Sequence, residues 1–282
     1  RCDGRNSFGY SKENGGVNLG FKLQKTYPFS LILRKQIKNM ALGKWYEATV
    51  TKIENLTATT KQFWLQIPAL EKIDFRAGQF MTFDLPIHEK RNRRWRSYSI
   101  ASAPNEGNIL EFIIVQLNGG VGTKYLFDEI KVGSQIKLRG PLGVFTLPKT
   151  LEKDICFICT GTGIAPFRSM LHEIRNSQQE HQRIDLIFGT RTLESMLFID
   201  EMRELEKEWP NFHYHIALSR EQSAQWKGTK GYVHQIYEKL YADQRDAYFY
   251  ICGWDDMINE AKSRLEAMNY KKRQHIIYES YS

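Results

Sequence analysis

Four consecutive residues have side chains that can hold a flat, phosphate-bearing cofactor. The segment Arg96-Ser97-Tyr98-Ser99 has strand character, so Arg96 and Tyr98 share one face. An arginine fork suits phosphate, a tyrosine ring can stack on a planar ring, and the Ser99 hydroxyl can contact a polar ring edge. This chemistry favours a flavin site, although a surface arginine beside a core tyrosine would give the same pattern.

A glycine-rich segment follows at Gly119-Gly120-Val121-Gly122-Thr123, just before a helix predicted over 123–130. Gly120 and Gly122 allow close backbone approach, and Thr123 can cap the helix start. A helix N-terminus is an anion site. We therefore expect Arg96 and this segment to hold one pyrophosphate, with a flexible hairpin loop as the alternative. The charge run over 91–94 is expected to be a solvated surface.

A second glycine turn, Gly161-Thr162-Gly163-Ile164-Ala165-Pro166, lies between a buried-type strand and an amphipathic helix. Pro166 suits the first turn of that helix, and the glycines allow a pyrophosphate to approach its N-terminus. Because Pro166 takes the place of the third glycine, the segment departs from the six-residue dinucleotide fingerprint. A nicotinamide-nucleotide site after a flavin site indicates hydride transfer, whereas a glycine turn alone can be purely structural.

Two arginines and a hydroxyl follow the next two strands of the same region. Arg191 comes after the second strand, and Ser219-Arg220 comes after the third. This set suits a ribose 2′-phosphate better than a ribose diol, which an acidic residue would read more naturally. Surface arginines are the alternative, and Lys227 and Lys230 either add charge or are solvated.

The elements that must position these residues fall into two groups. Short β-branched and aromatic stretches without intervening helices, apart from the one before residue 130, predict an antiparallel barrel. They lie at 45–53, 61–67, 78–85, 96–101, 109–117 and 134–139. Strands then alternate with helices, which predicts a parallel sheet covered on both faces. This region includes a helix predicted over about 194–208 and a strand predicted over 212–218. We expect a two-domain β plus α/β fold, with an FAD-binding β-barrel over 44–150 and a doubly wound nicotinamide-nucleotide domain over 151–282.

Composition narrows the functional class. The net charge is +8, but residues 1–39 carry +6 of it, so a nucleic-acid partner is not expected for the folded body. No apolar run reaches the roughly 18 residues needed to span a bilayer. The paired Cys156 and Cys159 lie in one strand pattern with no second pair, so no metal site is expected. The four cysteines form no disulfide framework, which favours a reducing, cytoplasmic location.

The segment 1–43 lacks strong periodicity and reads as a disordered or non-native leader. Met40 precedes the first strand pattern at Trp45 and is the expected biological start. A targeting peptide is the alternative, because Arg34, Lys35 and Lys38 lie beside apolar residues, although no cleavage signal is evident.

From residue 44 onward the chain resembles the ferredoxin–NADP reductase superfamily of FAD-dependent oxidoreductases. Five ordered motifs carry the resemblance: Arg96–Ser99, Gly119–Thr123, Gly140–Phe145 (Gly-Pro-x-Gly-x-Phe), Gly161–Pro166 and Cys252–Met257 (Cys-Gly-x-x-x-Met). The chain departs from the family at Trp254, where a proline is common, and at Gln116, where a basic residue is common. The pocket edge is therefore expected to differ, and compensation of the flavin phosphates to lean on Arg96.

The resemblance also implies roles for individual side chains. Arg96 would bind the flavin phosphates with Ser97 beside it, Tyr98 would stack on the isoalloxazine, and Ser99 would approach its reactive nitrogen. Cys252 would lie near the nicotinamide carbon that gives up hydride. Tyr281 would cover the flavin and move for nicotinamide to bind, with Glu279 as a polar neighbour. The segment 219–221 resembles the 2′-phosphate signature of NADP-preferring members.

The expected activity is transfer of a hydride from NADPH, or alternatively NADH, to FAD, followed by single electrons to a separate acceptor. Ferredoxin or flavodoxin is the leading acceptor, and the chain is expected to act as a monomer. One alternative is the NADH-dependent reductase component of a multicomponent oxygenase. Further alternatives are a flavin electron-transfer subunit without direct nicotinamide activity and a nucleotide-binding structural protein without flavin.

Overall fold

The computed structural model describes residues 44–281, and the expectations for the leader lie outside this range. The described chain forms two six-stranded sheets, one antiparallel and one parallel. The antiparallel sheet precedes the parallel sheet in the chain, as the strand patterns predict.

The first sheet consists of antiparallel strands in the order β4-β3-β6-β1-β2-β5. The strands are β1 (Trp45–Thr57), β2 (Thr60–Gln66), β3 (Phe80–Asp84), β4 (Trp95–Ser99), β5 (Ile109–Val115) and β6 (Gln135–Leu142). A bridge between Ile100 and Phe112 joins the chain after β4 to β5 and closes the sheet into a barrel. Helix α1 (Val121–Asp128) connects β5 to β6 and buries Leu126 in the barrel core.

The second sheet is parallel, in the order β10-β9-β8-β7-β11-β12. Its strands are β7 (Asp154–Thr160), β8 (Ile184–Thr190), β9 (Phe212–Leu218), β10 (Thr229–Lys230), β11 (Ala247–Gly253) and β12 (Ile276–Ser280). Its helices are α2 (Ile164–Ser177), α3 (Ile199–Glu208), α4 (His234–Leu240) and α5 (Asp255–Ala267). From the central strand β7, the sheet extends through β8, β9 and β10 on one side and through β11 and β12 on the other.

Helices cover both faces of the parallel sheet. Helices α2 and α3 pack into one hydrophobic cluster, and α4 and α5 pack into another on the opposite face. Cys159 belongs to the first cluster and Cys156 to the second, so the paired cysteines point to opposite sides of β7. The predicted fold class, an antiparallel barrel followed by a doubly wound parallel sheet, is therefore confirmed.

Two local predictions differ from the structure. The helix predicted from residue 194 begins at Ile199, because Leu193–Ser195 forms a separate 3₁₀ turn and Phe198 adopts a left-handed φ of 55°. The two-residue strand β10 is too short to leave a periodic pattern and was not predicted. The boundary predicted between residues 150 and 151 falls between β6 and β7 and stays a prediction. Within residues 44–281, no helix is long and apolar enough to cross a membrane.

Candidate functional site

A cavity of about 650 Å³ lies between the barrel and the α/β domain. The barrel contributes strand β4, residues 113–115 and the segment that leads into α1. The α/β domain contributes Thr160, Thr162, Gly253, Trp254 and residues 279–281. The two motif regions predicted from the sequence therefore open into the same space.

Arg96 lies directly against the start of helix α1. A Cβ placed on Gly122 would lie 3.2 Å from both Cγ and Nε of Arg96, so a side chain there would crowd the arginine. Arg96 Nη1 donates to the carbonyls of Arg93 and Trp95, at 3.1 and 2.7 Å. The amides in the first turn of α1 have no intrahelical acceptor. This cradle of backbone N–H groups beside an arginine fits a pyrophosphate.

The glycine segment before α1 is held by Thr123, in a different way from the predicted helix cap. Gly120 is the N-cap residue, and no side chain caps it. The Thr123 hydroxyl instead donates to the Gly120 carbonyl at 3.1 Å and accepts from the Leu117 amide at 3.1 Å. The cap prediction is wrong because Thr123 lies at the third helical position, not before the helix. Its hydroxyl shapes the segment while the first-turn amides stay directed at the cavity.

Tyr98 presents a ring at the cavity wall and anchors it in the barrel. Its ring packs edge-on against Phe83, with 4.9 Å between centroids. Burial raises the pKa of the Tyr98 hydroxyl, opposed by the charge of Arg96, so the phenol stays protonated. Ser97 lies between Arg96 and Tyr98 in the chain, and its hydroxyl contacts the Thr82 hydroxyl at 3.2 Å. A fixed, neutral aromatic ring is suited to stacking on a planar cofactor.

Ser99 and Glu279 meet across the contact between the two domains. The Ser99 hydroxyl donates to Glu279 Oε1 at 2.8 Å. Burial raises the pKa of the Glu279 carboxyl, although the bond from Ser99 opposes the rise. The pair places a hydroxyl and a weakly acidic carboxyl side by side in the cavity, so a proton can be held there closer to neutral pH than on an exposed carboxylate.

Cys252 and Tyr281 complete this cluster. Strands β11 and β12 pair in parallel with Cys252 opposite Glu279, and the Tyr281 amide donates to the Gly253 carbonyl at 3.0 Å. The Cys252 thiol is fully buried, and burial together with the charge of Glu279 raises its pKa well above the usual value, although the nearby Tyr281 hydroxyl opposes the rise. The Tyr281 hydroxyl oxygen is buried without a hydrogen-bond partner among the described residues. Cys252 is therefore a neutral thiol covered by an aromatic ring.

The second glycine turn divides into residues that face the cavity and residues that pack behind it. Gly161 has a φ of 53°, and a Cβ placed on it would meet nothing within 4 Å. Thr162 lines the cavity. Gly163 instead packs on β11, since its Cβ would lie 2.3 Å from the Cys252 carbonyl oxygen. Pro166 is buried in the first turn of α2. The open backbone of this turn is thus at 161–162.

Arg191, Ser219 and Arg220 lie together at the carboxyl ends of β8 and β9. The Arg220 amide donates to the Arg191 carbonyl at 2.9 Å, and the Ser219 amide donates to the Thr190 carbonyl at 3.0 Å. Both arginines are exposed. The adjacent Glu221 carboxylate accepts from the amides of Leu193 and Ser223, and these bonds lower its pKa. Two exposed guanidinium groups on a braced loop fit a phosphate ester.

Two aromatic residues near these sites, Trp95 and Tyr232, were not predicted to take part, whereas Trp254 was expected at the pocket edge. Trp95 and Trp254 line the cavity, and Trp254 is 53% exposed. Tyr232 follows Gly231, whose amide donates to the Leu218 carbonyl, so it lies beside the arginine pair. Trp95 shares one face of β4 with Ser97 and Ser99, because side chains in a strand repeat with a period of two. This period is a signal that could have identified Trp95.

Comparison with known families agrees with the two halves of this site. Residues 47–147 match the oxidoreductase FAD-binding domain, and residues 157–263 match the oxidoreductase NAD-binding domain. The residues of the cradle at α1 fit the flavin pyrophosphate, and the turn at 161–162 fits the nucleotide. The predicted cofactor classes, FAD and a nicotinamide nucleotide, are confirmed at the level of domains.

Two curated relatives illustrate the range of similar proteins. The phenol hydroxylase P5 protein of Acinetobacter pittii is 32% identical over 222 residues, which are 78% of this chain and 61% of that protein. Ferredoxin–NADP reductase B of Sorangium cellulosum is 28% identical over 243 residues, which are 84% of this chain and 97% of that protein. The chain thus spans about three fifths of the first relative and almost all of the second.

A solved structure shows the same two-domain arrangement. The ferredoxin NADP⁺ reductase of Neisseria gonorrhoeae, solved with bound FAD and NADP, has a TM-score of 0.71 and 25% identity. The alignment covers 84% of this chain and 98% of that one. Since both domain models match in this order on this fold, the chain belongs to the ferredoxin–NADP reductase superfamily of FAD-dependent oxidoreductases.

Proposed function

We propose that this chain is an NADPH-dependent FAD reductase that passes electrons to a separate redox acceptor. The observation that carries the proposal is the shared cavity, in which Ser99 of the barrel donates a hydrogen bond to Glu279 of the last strand. When bound there, FAD accepts a hydride from a nicotinamide and releases electrons singly. The protein residues bind the two cofactors, orient their reacting rings and shield these rings from water.

The barrel side of the cavity holds the flavin in this proposal. Arg96 and the first-turn amides of α1 bind the pyrophosphate, and Gly120 and Gly122 let the backbone approach it. Tyr98 supplies the stacking ring. The Ser99 hydroxyl donates its hydrogen to Glu279, and this bond fixes the orientation of the Ser99 oxygen within the cavity.

The other side of the cavity receives the nicotinamide. Tyr281 covers Cys252 and excludes water until the ring is displaced. The neutral Cys252 thiol then offers a polarisable, uncharged surface, which suits packing against a nicotinamide better than a thiolate would. Holding the two reacting rings in register accounts for most of the expected rate enhancement, because proximity needs no strong acid or base.

The nucleotide end of the site favours NADPH. Gly161 and Thr162 present open backbone to a pyrophosphate, while Arg191, Ser219 and Arg220 bind a 2′-phosphate. Two exposed arginines on a loop braced by Glu221 form charge-assisted hydrogen bonds that a ribose diol cannot accept as strongly.

The acceptor in this proposal is a ferredoxin or flavodoxin, supported by the likeness to the Sorangium reductase over nearly its whole length. A second candidate is the NADH-dependent reductase component of an oxygenase, which the likeness to the phenol hydroxylase protein favours. We also propose a monomer and a cytoplasmic location. The three buried free thiols, at Cys156, Cys159 and Cys252, fit the cytoplasmic location. Size-exclusion chromatography with light scattering tests whether the protein is a monomer.

Anaerobic stopped-flow mixing of the flavin-loaded protein with NADPH and, separately, with NADH tests the proposal. Rapid bleaching of flavin absorbance by NADPH and slow bleaching by NADH is expected. Faster bleaching by NADH would move the assignment to the oxygenase component. Bleaching by neither nucleotide would contradict the reductase and identify a flavin subunit that receives electrons elsewhere. A protein that binds no flavin would contradict every flavin assignment.

A further inference from the structure

The side chain of Arg168 crosses the contact between the barrel and the α/β domain, where it is 13% exposed. On the barrel side, Nη1 donates to the Glu111 carboxylate of β5 at 2.7 Å and to the Ala101 carbonyl at 3.0 Å. On the other side, Nε donates to both oxygens of Glu201 in α3, at 2.7 and 3.1 Å. The Phe198 ring stacks 4.9 Å from the guanidinium carbon. One guanidinium therefore connects three elements.

The groups that hold the guanidinium are themselves fixed. Glu111 also accepts from the Gln62 amide at 2.7 Å, and Glu201 bonds to His172 at 2.7 Å. Burial opposes ionisation of Glu201, but the bond to His172 and the charge of Arg168 keep its pKa below the usual value. Glu201 thus remains charged at neutral pH, and the arginine has defined partners on each side.

The next residue in α2 repeats the connection. The buried Ser169 hydroxyl donates to the Ser102 carbonyl at 2.6 Å. Ala101 and Ser102 come just after Ser99 at the end of the flavin-site strand. Arg168 and Ser169 lie in the second turn of α2, which begins directly after the glycine turn at 161–163. The two contacts therefore join the end of β4 to the helix that carries the nucleotide turn.

From this geometry we infer that Arg168 is a positioning residue that fixes the orientation of the nucleotide-binding domain relative to the flavin-site strand. The inference rests on the proposed function. Reacting atoms must lie about 3–3.5 Å apart, and a displacement of about 1 Å can reduce a rate by roughly 100-fold. Arginine suits this task because its planar fork binds two carboxylates and a carbonyl in fixed directions, whereas lysine offers a single ammonium group.

Kinetics of Arg168→Gln and the milder Arg168→Lys provide the first measurement. We expect normal FAD content and a Kd for NADP⁺ close to that of the unmodified chain. The limiting rate of flavin reduction at saturating NADPH should fall by about 10- to 100-fold, because misplacement affects the reacting atoms and not the binding groups. Glu111→Gln should give a similar loss, and the double variant should lose little more, since the two residues act through one contact.

Arg175→Gln is the matched control. Arg175 lies on the same helix and donates to Glu208 at 2.7 Å within the α/β domain, without reaching the barrel. This variant removes an arginine–glutamate pair from α2 and should leave the limiting rate unchanged. Its unchanged rate would show that loss of an arginine–glutamate pair from α2 is not by itself enough to slow flavin reduction.

A distance measurement provides a readout that needs no nucleotide. Spin labels are attached at Val132→Cys in the barrel and at Ser263→Cys in α5, which are both exposed positions. Cys2 is replaced by serine so that it is not labelled. The distance between the two labels then reports the separation of the domains. Arg168→Gln should shift or broaden the distance distribution, and Arg175→Gln should not. Failure of NADPH to bleach the unmodified protein would contradict the proposed function, whereas the distances test the positioning role independently.

Unchanged distances in Arg168→Gln would overturn the inference, as would a limiting rate equal to that of Arg175→Gln. If the glutamine variant fails to fold, Arg168→Lys decides the question. This variant retains the charge but not the fork, so a full rate with lysine would also contradict the positioning role.

Discussion

Arg96 and the first turn of α1 line one part of the cavity, with Gly122 packed beside the arginine side chain. Arg96→Ala should therefore weaken FAD binding by about 1.5–3 kcal/mol, the contribution of a charge-assisted contact, or roughly 10- to 150-fold in Kd. Fluorescence titration of the apoprotein with FAD measures this. Arg91→Ala, an exposed arginine of the preceding 3₁₀ turn, is the control. Full affinity in Arg96→Ala would remove it from the phosphate site.

Arg220 is expected to read the 2′-phosphate, because its exposed guanidinium lies beside Arg191 on a braced loop. Arg220→Ala should raise the KM for NADPH by about 10- to 150-fold, as loss of one charge-assisted phosphate contact predicts, with little change for NADH. Steady-state kinetics with both nucleotides measures the ratio. NADH provides the internal control, and an equal loss for both nucleotides would argue against 2′-phosphate recognition.

Tyr281 covers the Cys252 thiol, so nicotinamide entry requires that the ring be displaced. Tyr281→Ala should bind NADP⁺ more tightly, by about tenfold if displacement costs roughly 1.4 kcal/mol. Difference spectroscopy measures the Kd. The variant should also expose Cys252 to maleimide, and NADP⁺ should protect it. Unchanged affinity and unchanged thiol reactivity would exclude Tyr281 from the site.

At the scale of elements, a buried carboxylate joins strands β8 and β9 to the end of helix α4. Asp185 is fully buried and accepts from Arg183 at 2.7 and 2.9 Å, from His215 at 2.8 Å and from the Tyr241 hydroxyl at 3.0 Å. Burial opposes its ionisation, but the bonds from His215 and Arg183 hold its pKa well below the usual value. Asp185 is therefore charged at all ordinary pH values.

Asp185→Asn should lower the free energy of unfolding by about 3–5 kcal/mol, because it removes the buried counter-charge of Arg183 and gives the donors His215 and Tyr241 a weaker acceptor. A lowered carboxyl pKa stabilises the folded state above the usual value of 3.8, and this contribution is lost as the pH falls below that value. Urea unfolding between pH 2 and 7 measures both effects. Asp243→Asn, an exposed carboxylate, is the control. An equally steep acid loss in Asp185→Asn would contradict the assignment.

At the scale of the whole molecule, the Ser99–Glu279 bond joins the barrel to the last strand of the α/β domain. Because burial raises the pKa of Glu279, the folded state binds more protons than the unfolded state just above pH 4.5. This part of the stability is present at low pH and falls as the pH rises through that window. Glu279→Gln should remove the slope and leave the protein at least as stable at pH 7.

Denaturant unfolding from pH 4.5 to 8 compares the two proteins, with Glu266→Gln, an exposed carboxyl of α5, as the control. The unmodified chain and the control should share a downward slope that Glu279→Gln lacks. Identical slopes in all three proteins would show that Glu279 does not titrate in this range.

The fold and the motif segments were predictable because each leaves a local signal. Strand β9 was predicted over the residues it occupies, 212–218, since its alternation is bounded by turn-forming residues. The predicted start of α3 was too early and therefore wrong. Phe198 adopts a left-handed φ just before the helix, and phenylalanine is not a residue that commonly signals such a turn. Local patterns thus specify elements well and their ends less well.

Contacts between distant segments were less accessible from the sequence. The cluster of Ser99, Cys252, Glu279 and Tyr281 was expected only through resemblance to a family, since no spacing brings these residues together. Arg168 left no signal at all, because an arginine that crosses domains has the same helical position as one facing solvent. A second cleft of about 710 Å³, at the amino ends of β7 to β9, contains none of the motif residues, so cavity size alone would not have identified the site.

The close packing of Gly163 and Gly253 restricts how this protein can change through evolution. A Cβ on Gly163 would meet the Cys252 carbonyl oxygen at 2.3 Å, and a Cβ on Gly253 would meet the Thr160 hydroxyl at 2.4 Å. A side chain on Gly163 would therefore push the two loops apart, whereas one on Gly253 would have to displace the Thr160 hydroxyl and adopt a strained φ of 151°. Substitutions that leave this contact intact are therefore expected at the exposed residues of the rim, such as Trp254.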